Sequence, residues 1–511
     1  MTNTLRPRRT GLIVFTSRVI SIFTGLLFLI MVTRSLMPTQ FGLWEFLIDV
    51  IMFSTFPAGL FTYWATREVA RGAIIGRTTQ SLCLMMSLAG VILYLLLSFG
   101  VHSIIESTLA PFVAAVILVP LIYWSLATQA LVLGHNPAIG AYSLMISEPA
   151  KLLAAFPLLY SFKLGINGVI LSIAVSYFVQ SASSTVQLRD VRKDRIDLGK
   201  AREWLKDYHV PVVYTFTYVL SIADTFVASI GAEGTTFAGF YQAAFQVATL
   251  VSYSTFLSIA LYPVLLRGKS ERLPGKLLEF SLLFGVPMAA GTIALASKIL
   301  YLLKPVYVNS SNALIILSLA AVVTLVSSVF DQTLMGRDTA DLSTENRRRR
   351  LMGSDQMFVS GANAAYFVAY LSIVFVLGHL SAAGFAPVYQ IVTYWALAQL
   401  LLTCILVAVK LRRVLQRTTL MITPSPAFYI ASSGVMALVL LLIEGVVIPG
   451  GLNTLQYGLR LFAMVVVGSA VYFGTLTCMD RRFRVLVRAA IATWRNREAG
   501  ADAPQGQAAA N

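Results

Sequence analysis

Apolar runs of about twenty residues recur from one end of this 511-residue chain to the other, separated by short polar gaps. One such run makes a helix long enough to cross a bilayer. Reading them in turn predicts fourteen spans, at about 12–33, 43–64, 81–102, 109–133, 140–160, 165–188, 208–230, 238–266, 277–303, 311–334, 357–377, 385–409, 426–448 and 455–478. Only 12% of residues are charged, against about a quarter in soluble proteins. That excludes a soluble enzyme carrying a single anchor. The predicted fold class is an all-α polytopic membrane protein. Pro57, Pro149, Pro157, Pro263 and Pro287 fall inside runs and mark bends, because neighbouring helices can satisfy the freed carbonyls.

Basic residues set the orientation. With the N-terminus in the cytoplasm, 32 of the 39 Lys and Arg fall on the cytoplasmic side and 3 (Arg34, Lys163, Lys304) on the other. That split is a positive-inside signature, and one misplaced span would scramble it. Both termini are therefore expected in the cytoplasm of a cell that carries this chain in its plasma membrane. The net charge of +16 lies where it meets membrane lipids, not nucleic acid. The first span is too long for a signal peptide and no small-x-small pattern follows it, so it is expected to be retained. Cys83, Cys404 and Cys478 all lie in apolar runs, which predicts reduced thiols and excludes a disulfide framework or a zinc site.

The chain repeats itself weakly. Gly42-Leu-Trp44 opens the second span as Gly239-Phe-Tyr241 opens the eighth. Gln129 to Gly134 closes the fourth as Gln332 to Gly336 closes the tenth. Leu164 to Gly168 opens the sixth as Leu380 to Gly384 opens the twelfth. A shift of six spans preserves direction, giving two parallel six-helix lobes plus two C-terminal helices. The expected divisions are an N-terminal lobe, 1–207, a C-terminal lobe, 208–425, two additional helices, 426–478, and a basic cytoplasmic segment with a disordered tail, 479–511. Such lobes suit a transporter that holds substrate between them and rocks.

The stretches TRSLMPTQFGLWEF, SIADTFVASIGAEGTTFAGFYQAA, ALYPVLL, LYLLKPVYVNSSNALIILSLA and LGINGVILSIAVSY occur in an order and spacing that resembles the polysaccharide and lipid-linked oligosaccharide flippases. These form the O-antigen flippase-like branch of the superfamily that also holds multidrug antiporters and the lipid II flippase. The resemblance covers nearly the whole chain. The basic loop 335–356 is longer than the family pattern, and SAAGFAPVYQ copies the glycine-rich element poorly.

Charges within spans are costly and mark either a cavity or a partner. Arg18, two turns into the first span, either snorkels to the cytoplasmic phosphates or serves as a cavity cation for a diphosphate. The resemblance favours the second, since related lipid flippases place cations there. Arg34 is an interface anchor or a guide for an anion at the outer mouth. Glu148 and Lys151 share one helix face. They form a self-neutralising pair, or a switch in which Lys151 changes partner from Glu148 to substrate phosphate. Asp224 lies near the outer end of the seventh span, and Glu45 and Asp49 on the outer part of the second. Tyr218 and Tyr241, with Trp44, Tyr63, Trp64, Tyr214 and Thr217, lie on spans that border the cavity in the family. They would suit sugars, which stack on aromatic rings, or else they form the ordinary interfacial belt. Asp224 could also bind a coupling proton or sodium ion. Lys298, Glu279, Asp331, Glu444 and Arg460 lie close to span ends, within reach of interfacial water.

The leading expectation is a flippase for a polyprenyl-phosphate- or diphosphate-linked oligosaccharide, served by glycan assembly enzymes. There is no GxxxxGK[ST] phosphate loop, so no ATP or other cofactor is expected. A cation-coupled multidrug antiporter is the alternative, although the first span carries Arg18 and no acid. A membrane glycosyltransferase or ligase ranks last because every outer loop is short. The chain is not expected to be an enzyme.

Overall fold

A computed structural model describes residues 7–101, 105, 108–206, 209–232, 234–254, 273–337, 354–417, 423–448 and 452–485. Some side chains within helices, including that of Arg18, also lie outside the described part. All regular structure among the described residues is helical: α1 Pro7–Ser35, α2 Pro38–Thr55, α3 Ala58–Ala70, α4 Gly76–Val101, α5 Leu109–Ala115, α6 Leu118–His135, α7 Pro137–Phe156, α8 Ile166–Gln187, α9 Gly199–Lys206, α10 His209–Ser221, α11 Asp224–Gly231, α12 Thr236–Ser252, α13 Leu273–Ala294, α14 Ala296–Leu303, α15 Ser311–Arg337, α16 Asp355–Ala382, α17 Val388–Arg417, α18 Ser425–Val447 and α19 Thr454–Met479, with short π and 3-10 turns at Pro157–Ser161 and Pro305–Ser310. Among these residues nine helical segments are long and apolar enough to cross a membrane, ten if the bent pair α2 and α3 is one span. The protein is a multi-pass membrane protein. Each predicted span, as far as it is described, falls on one helix or on two consecutive ones. Residues 255–266 of the eighth, the loop run Arg347 to Arg350, and the tail from residue 486 lie outside the described residues.

The breaks have local causes. α2 and α3 meet at 64°, where Pro57 lacks an N–H and crowds the preceding turn. The Ser54 carbonyl at this bend accepts a hydrogen bond from the Tyr123 hydroxyl at 2.9 Å. Pro157 likewise begins the π turn that ends α7. In lipid these freed groups need protein partners, and Tyr123 supplies one. The bundle's outside is correspondingly apolar: Leu153 is 76% exposed and Val446 82%, values that suit hydrocarbon, not water.

In the first half α1 packs on α7, α7 on α8, α3 on α6 and α6 on α8. In the second, α15 packs on α17, α11 on α16 and α13 on α15, while α18 lies along α13 and α19 along α18. The halves meet chiefly where α2 crosses α12.

One span edge needs correction. Lys410 was expected in the loop 410–425, but α17 continues to Arg417 and Lys410 is buried. It pairs with Asp331 Oδ1 at 2.7 Å and donates to Ser327 Oγ at 2.8 Å. An apolar run ends at its first charge in the sequence, whereas the helix continues because Asp331 on α15 neutralises that charge. Lys410→Met should strand Asp331 and cost about 3–5 kcal/mol, read as a lower melting temperature in detergent. Lys410→Met/Asp331→Leu should regain most of it; a single variant as stable as the parent would show the pair to be dispensable.

Candidate functional site: two intramembrane polar cells and a closed end

The first polar cell joins α1 to α7. Lys151 Nζ lies 2.8 Å from Glu148 Oε2. The same oxygen accepts from Thr24 Oγ1 at 2.6 Å, and Ser21 Oγ approaches Oε1 at 3.4 Å. Lys151 also stands 5.2 Å from the centre of the Phe28 ring. The predicted helix-face pair is therefore formed, and α1 contributes two hydroxyls one turn apart. Arg18 belongs to α1, one turn before Ser21, with its side chain outside the described part.

The second cell lies between the halves. The break between α10 and α11 leaves amides at the start of α11 without helical partners. Two acids take them: Asp224 Oδ1 accepts from Thr225 N, and Asp49 Oδ2, from α2, accepts from Phe226 N, both at 2.9 Å. Tyr370 on α16 donates to Asp224 Oδ2 at 3.3 Å, and Trp395 Nε1 on α17 donates to the Tyr370 hydroxyl at 2.8 Å. The Tyr241 hydroxyl lies 3.0 Å from that of Tyr370 and also donates to Gln399 Oε1. Its ring stacks on Trp395 at 3.6 Å. Asp49 and Asp224 are both buried. Tyr241, expected on a cavity wall, is fully enclosed, whereas Tyr218 on α10 is 53% exposed. Trp44 is buried too, and Tyr63 meets Trp64 edge-on beneath the Arg67 guanidinium. Among the described residues these aromatic side chains thus divide between core and surface and do not form one cluster; that of Tyr214 lies outside the described part.

The sequence reading missed Gln242, Gln246, Tyr370, Trp395 and Gln399. The first two carried a signal. The shift of 197 residues from Gly42 to Gly239 pairs Glu45 with Gln242 and Asp49 with Gln246. Gln242 Nε2 donates to Thr225 Oγ1 at 2.6 Å, and Gln246 Nε2 reaches Glu45 Oε2 at 3.4 Å. Each acid of the first repeat is an amide in the second. The amides can donate to acceptors that two carboxylates could not share. Among the described residues no group of three or more His, Cys, Asp or Glu is arranged to hold a metal ion.

The end of the bundle where α1 passes into α2 is closed by a reciprocal contact. Thr39 Oγ1 lies 2.8 Å from Thr236 Oγ1, its counterpart 197 residues on. A Cβ on Gly42 would stand 1.9 Å from Thr235 O, and one on Gly239 would stand 2.1 Å from Pro38 O. Only glycine permits this approach at either position, and Pro38 and Thr235 are themselves 197 residues apart. The repeat seen in sequence is thus a local two-fold relation. Arg34 adds a second tie, donating from Nε to Leu302 O at 2.9 Å and from Nη2 to Tyr301 O at 3.0 Å. These are unpaired carbonyls at the end of α14, a favourable place for a cation. Lys304 Nζ returns the contact to Leu36 O at 2.6 Å. Burial, and then the neighbouring Arg34 guanidinium, hold the Lys304 ammonium below the usual lysine pKa.

No family model matches the chain, and no curated protein does. Solved structures do. The lipid II flippase MurJ in an inward closed conformation is 15% identical over 93% of this chain and 100% of its own, with a TM-score of 0.61. An inward-facing multidrug resistance MATE family transporter of the MOP superfamily is 15% identical over 80% of this chain and 98% of its own, at 0.56. A MOP superfamily transporter from Pyrococcus furiosus Vc1 (DSM3638), described as having a binding pocket of reverse polarity, is 14% identical over 79% and 94%, at 0.52. The chain has the fold of a polytopic membrane transporter. More particularly, its fold is like those of the lipid II flippase and the MATE family transporter.

Proposed function

We propose that the protein flips a polyprenyl-phosphate- or diphosphate-linked oligosaccharide from the cytoplasmic to the outer leaflet of the plasma membrane. The observation that carries this reading is the α1–α7 cell. A lysine in an apolar bundle is held by one carboxylate that two hydroxyls also engage. A phosphate entering beside it could take the ammonium while Thr24 and Ser21 keep Glu148 solvated. Arg18, on the same helix, would add a guanidinium fork suited to a diphosphate. The fuller overlap with the lipid II flippase, 93% of this chain against 80% for the MATE family transporter, supports the same reading. In this reading the segment 189–207 faces the cytoplasm with both termini, and 1–207 and 208–425 act as the rocking lobes.

The experiment is reconstitution in proteoliposomes loaded with a polyprenyl-diphosphate-linked amino sugar, followed by lectin access from outside. Protein-dependent exposure of the sugar supports the proposal. No exposure, with proton- or sodium-driven efflux of a lipophilic cation instead, would replace it by the antiporter reading. One observation favours that second reading: Asp49 and Asp224 are buried on adjacent amides at the interface between halves.

Asp224→Asn separates coupling from packing. Asparagine keeps an oxygen for Thr225 N but no charge. If Asp224 carries the coupling ion, the variant should fold normally, still bind the lipid-linked sugar, and lose uphill transport at least tenfold. Transport unchanged from the parent would leave Asp224 as a helix cap alone.

A further inference from the structure

After α8 the chain doubles back onto the start of α4. Gly76 N donates to Val191 O at 2.9 Å, and a Cβ on Gly76 would lie 2.7 Å from that oxygen. The Asp194 carboxylate accepts from Arg77 N and Thr78 N, both at 2.8 Å, and from the Thr78 hydroxyl at 2.7 Å. Between this docked segment and α4, α6 and α8 lies a cavity of about 460 Å³. Its walls include Arg77, Gln80, Leu84, Trp124, Arg192 and Ile196. Among the described residues none of the second half lines it.

The cavity sets two cations, Arg77 and Arg192, among apolar walls of Leu84, Trp124 and Ile196. Among the described residues neither Arg77 nor Arg192 has an ion-pair partner, and Arg192 Nε is buried without a hydrogen bond. The acids of the same segment are engaged elsewhere: Asp194 with α4, Asp190 with Lys193 at 2.7 Å, and Asp197 with Gly199 N at 2.8 Å. Leu84 and Ile196 are 53% and 57% exposed, so apolar wall residues also reach the outside of the bundle. Two unpaired guanidiniums beside an apolar slot match a phosphate that carries a hydrocarbon chain.

We propose that this cavity binds a phosphate-headed lipid of net negative charge from the cytoplasmic leaflet, its phosphate between Arg77 and Arg192 and its chain along Leu84 and Trp124. The site shares no residue with the α1–α7 cell and holds whether or not the chain is a flippase. A bound lipid would fasten the segment that leads from the first half to α10.

The test uses the full-length protein in detergent, melted with phosphatidylglycerol, phosphatidylcholine or inorganic phosphate. Phosphatidylglycerol should raise the melting temperature by several degrees and the other two by far less. Arg77→Gln/Arg192→Gln should lose that shift, while Arg202→Gln/Lys206→Gln, on neighbouring α9, should keep it. Arg192→Lys, which keeps the charge and loses the fork, should move the lipid titration midpoint severalfold upward, and it serves where the double variant is too unstable. Equal stabilisation by phosphatidylcholine would overturn the assignment, as would a full shift with inorganic phosphate alone. So would an unchanged phosphatidylglycerol response in both arginine variants.

Discussion

Oxidised Thr39→Cys/Thr236→Cys protein should lose transport completely and recover it on reduction. The two hydroxyls are 2.8 Å apart, within the reach that a disulfide requires of its side chains. They lie beside the Gly42–Gly239 crossing, where α2 and α12 pack without side chains between them. If the lobes rock about the substrate, this contact must open once per cycle, and a covalent bond there stops the cycle. The variant is built with Cys83, Cys404 and Cys478 replaced by alanine or serine. Ser297→Cys/Ser311→Cys is the control: its hydroxyls are 3.2 Å apart but join α14 to α15 within the second half, so oxidation should leave transport intact. Sugar exposure that continues in the oxidised 39/236 variant would show that the route does not open at this end.

The second large effect concerns Lys151 and Glu148. Removing one partner of a buried pair leaves an uncompensated charge, at about 3–5 kcal/mol, whereas removing both is often nearly neutral. Lys151→Met and Glu148→Gln singly should therefore lower abundance as well as activity. Glu148→Gln/Lys151→Met should restore abundance, because glutamine can still meet Thr24 and Ser21. The two roles diverge in transport. If Lys151 receives the substrate phosphate, the double variant folds normally and moves less than a tenth of the parent's lipid-linked sugar. If the pair only neutralises itself, transport returns with abundance.

Much of the candidate site was legible because its first cell is local. Three residues separate Glu148 from Lys151, and helical geometry alone places them on one face. The hydroxyls that complete the cell, Ser21 and Thr24, were not legible as partners. Serine and threonine are common in membrane helices, where they also bond their own backbone, as Thr24 does to Ile20 O at 3.0 Å. Arg34 read equally well as a lipid anchor or an anion guide. Its contacts to Tyr301 and Leu302 give it a third role, the capping of α14 across the two halves.

The sequence by itself determined which stretches form long apolar helices. Partition depends on the apolar character of some twenty consecutive residues, and bends depend on proline, both local properties. It also carried the repeat, since Gly42 and Gly239 need no partner to be recognised as alike. Only the tertiary structure decided that those two glycines touch, that Asp49 takes an amide 177 residues away, and that Lys410 stays buried opposite Asp331. The physical reason is the same in each case. In a low-dielectric bundle a polar group requires a specific partner, and helix packing, not the neighbouring sequence, supplies it.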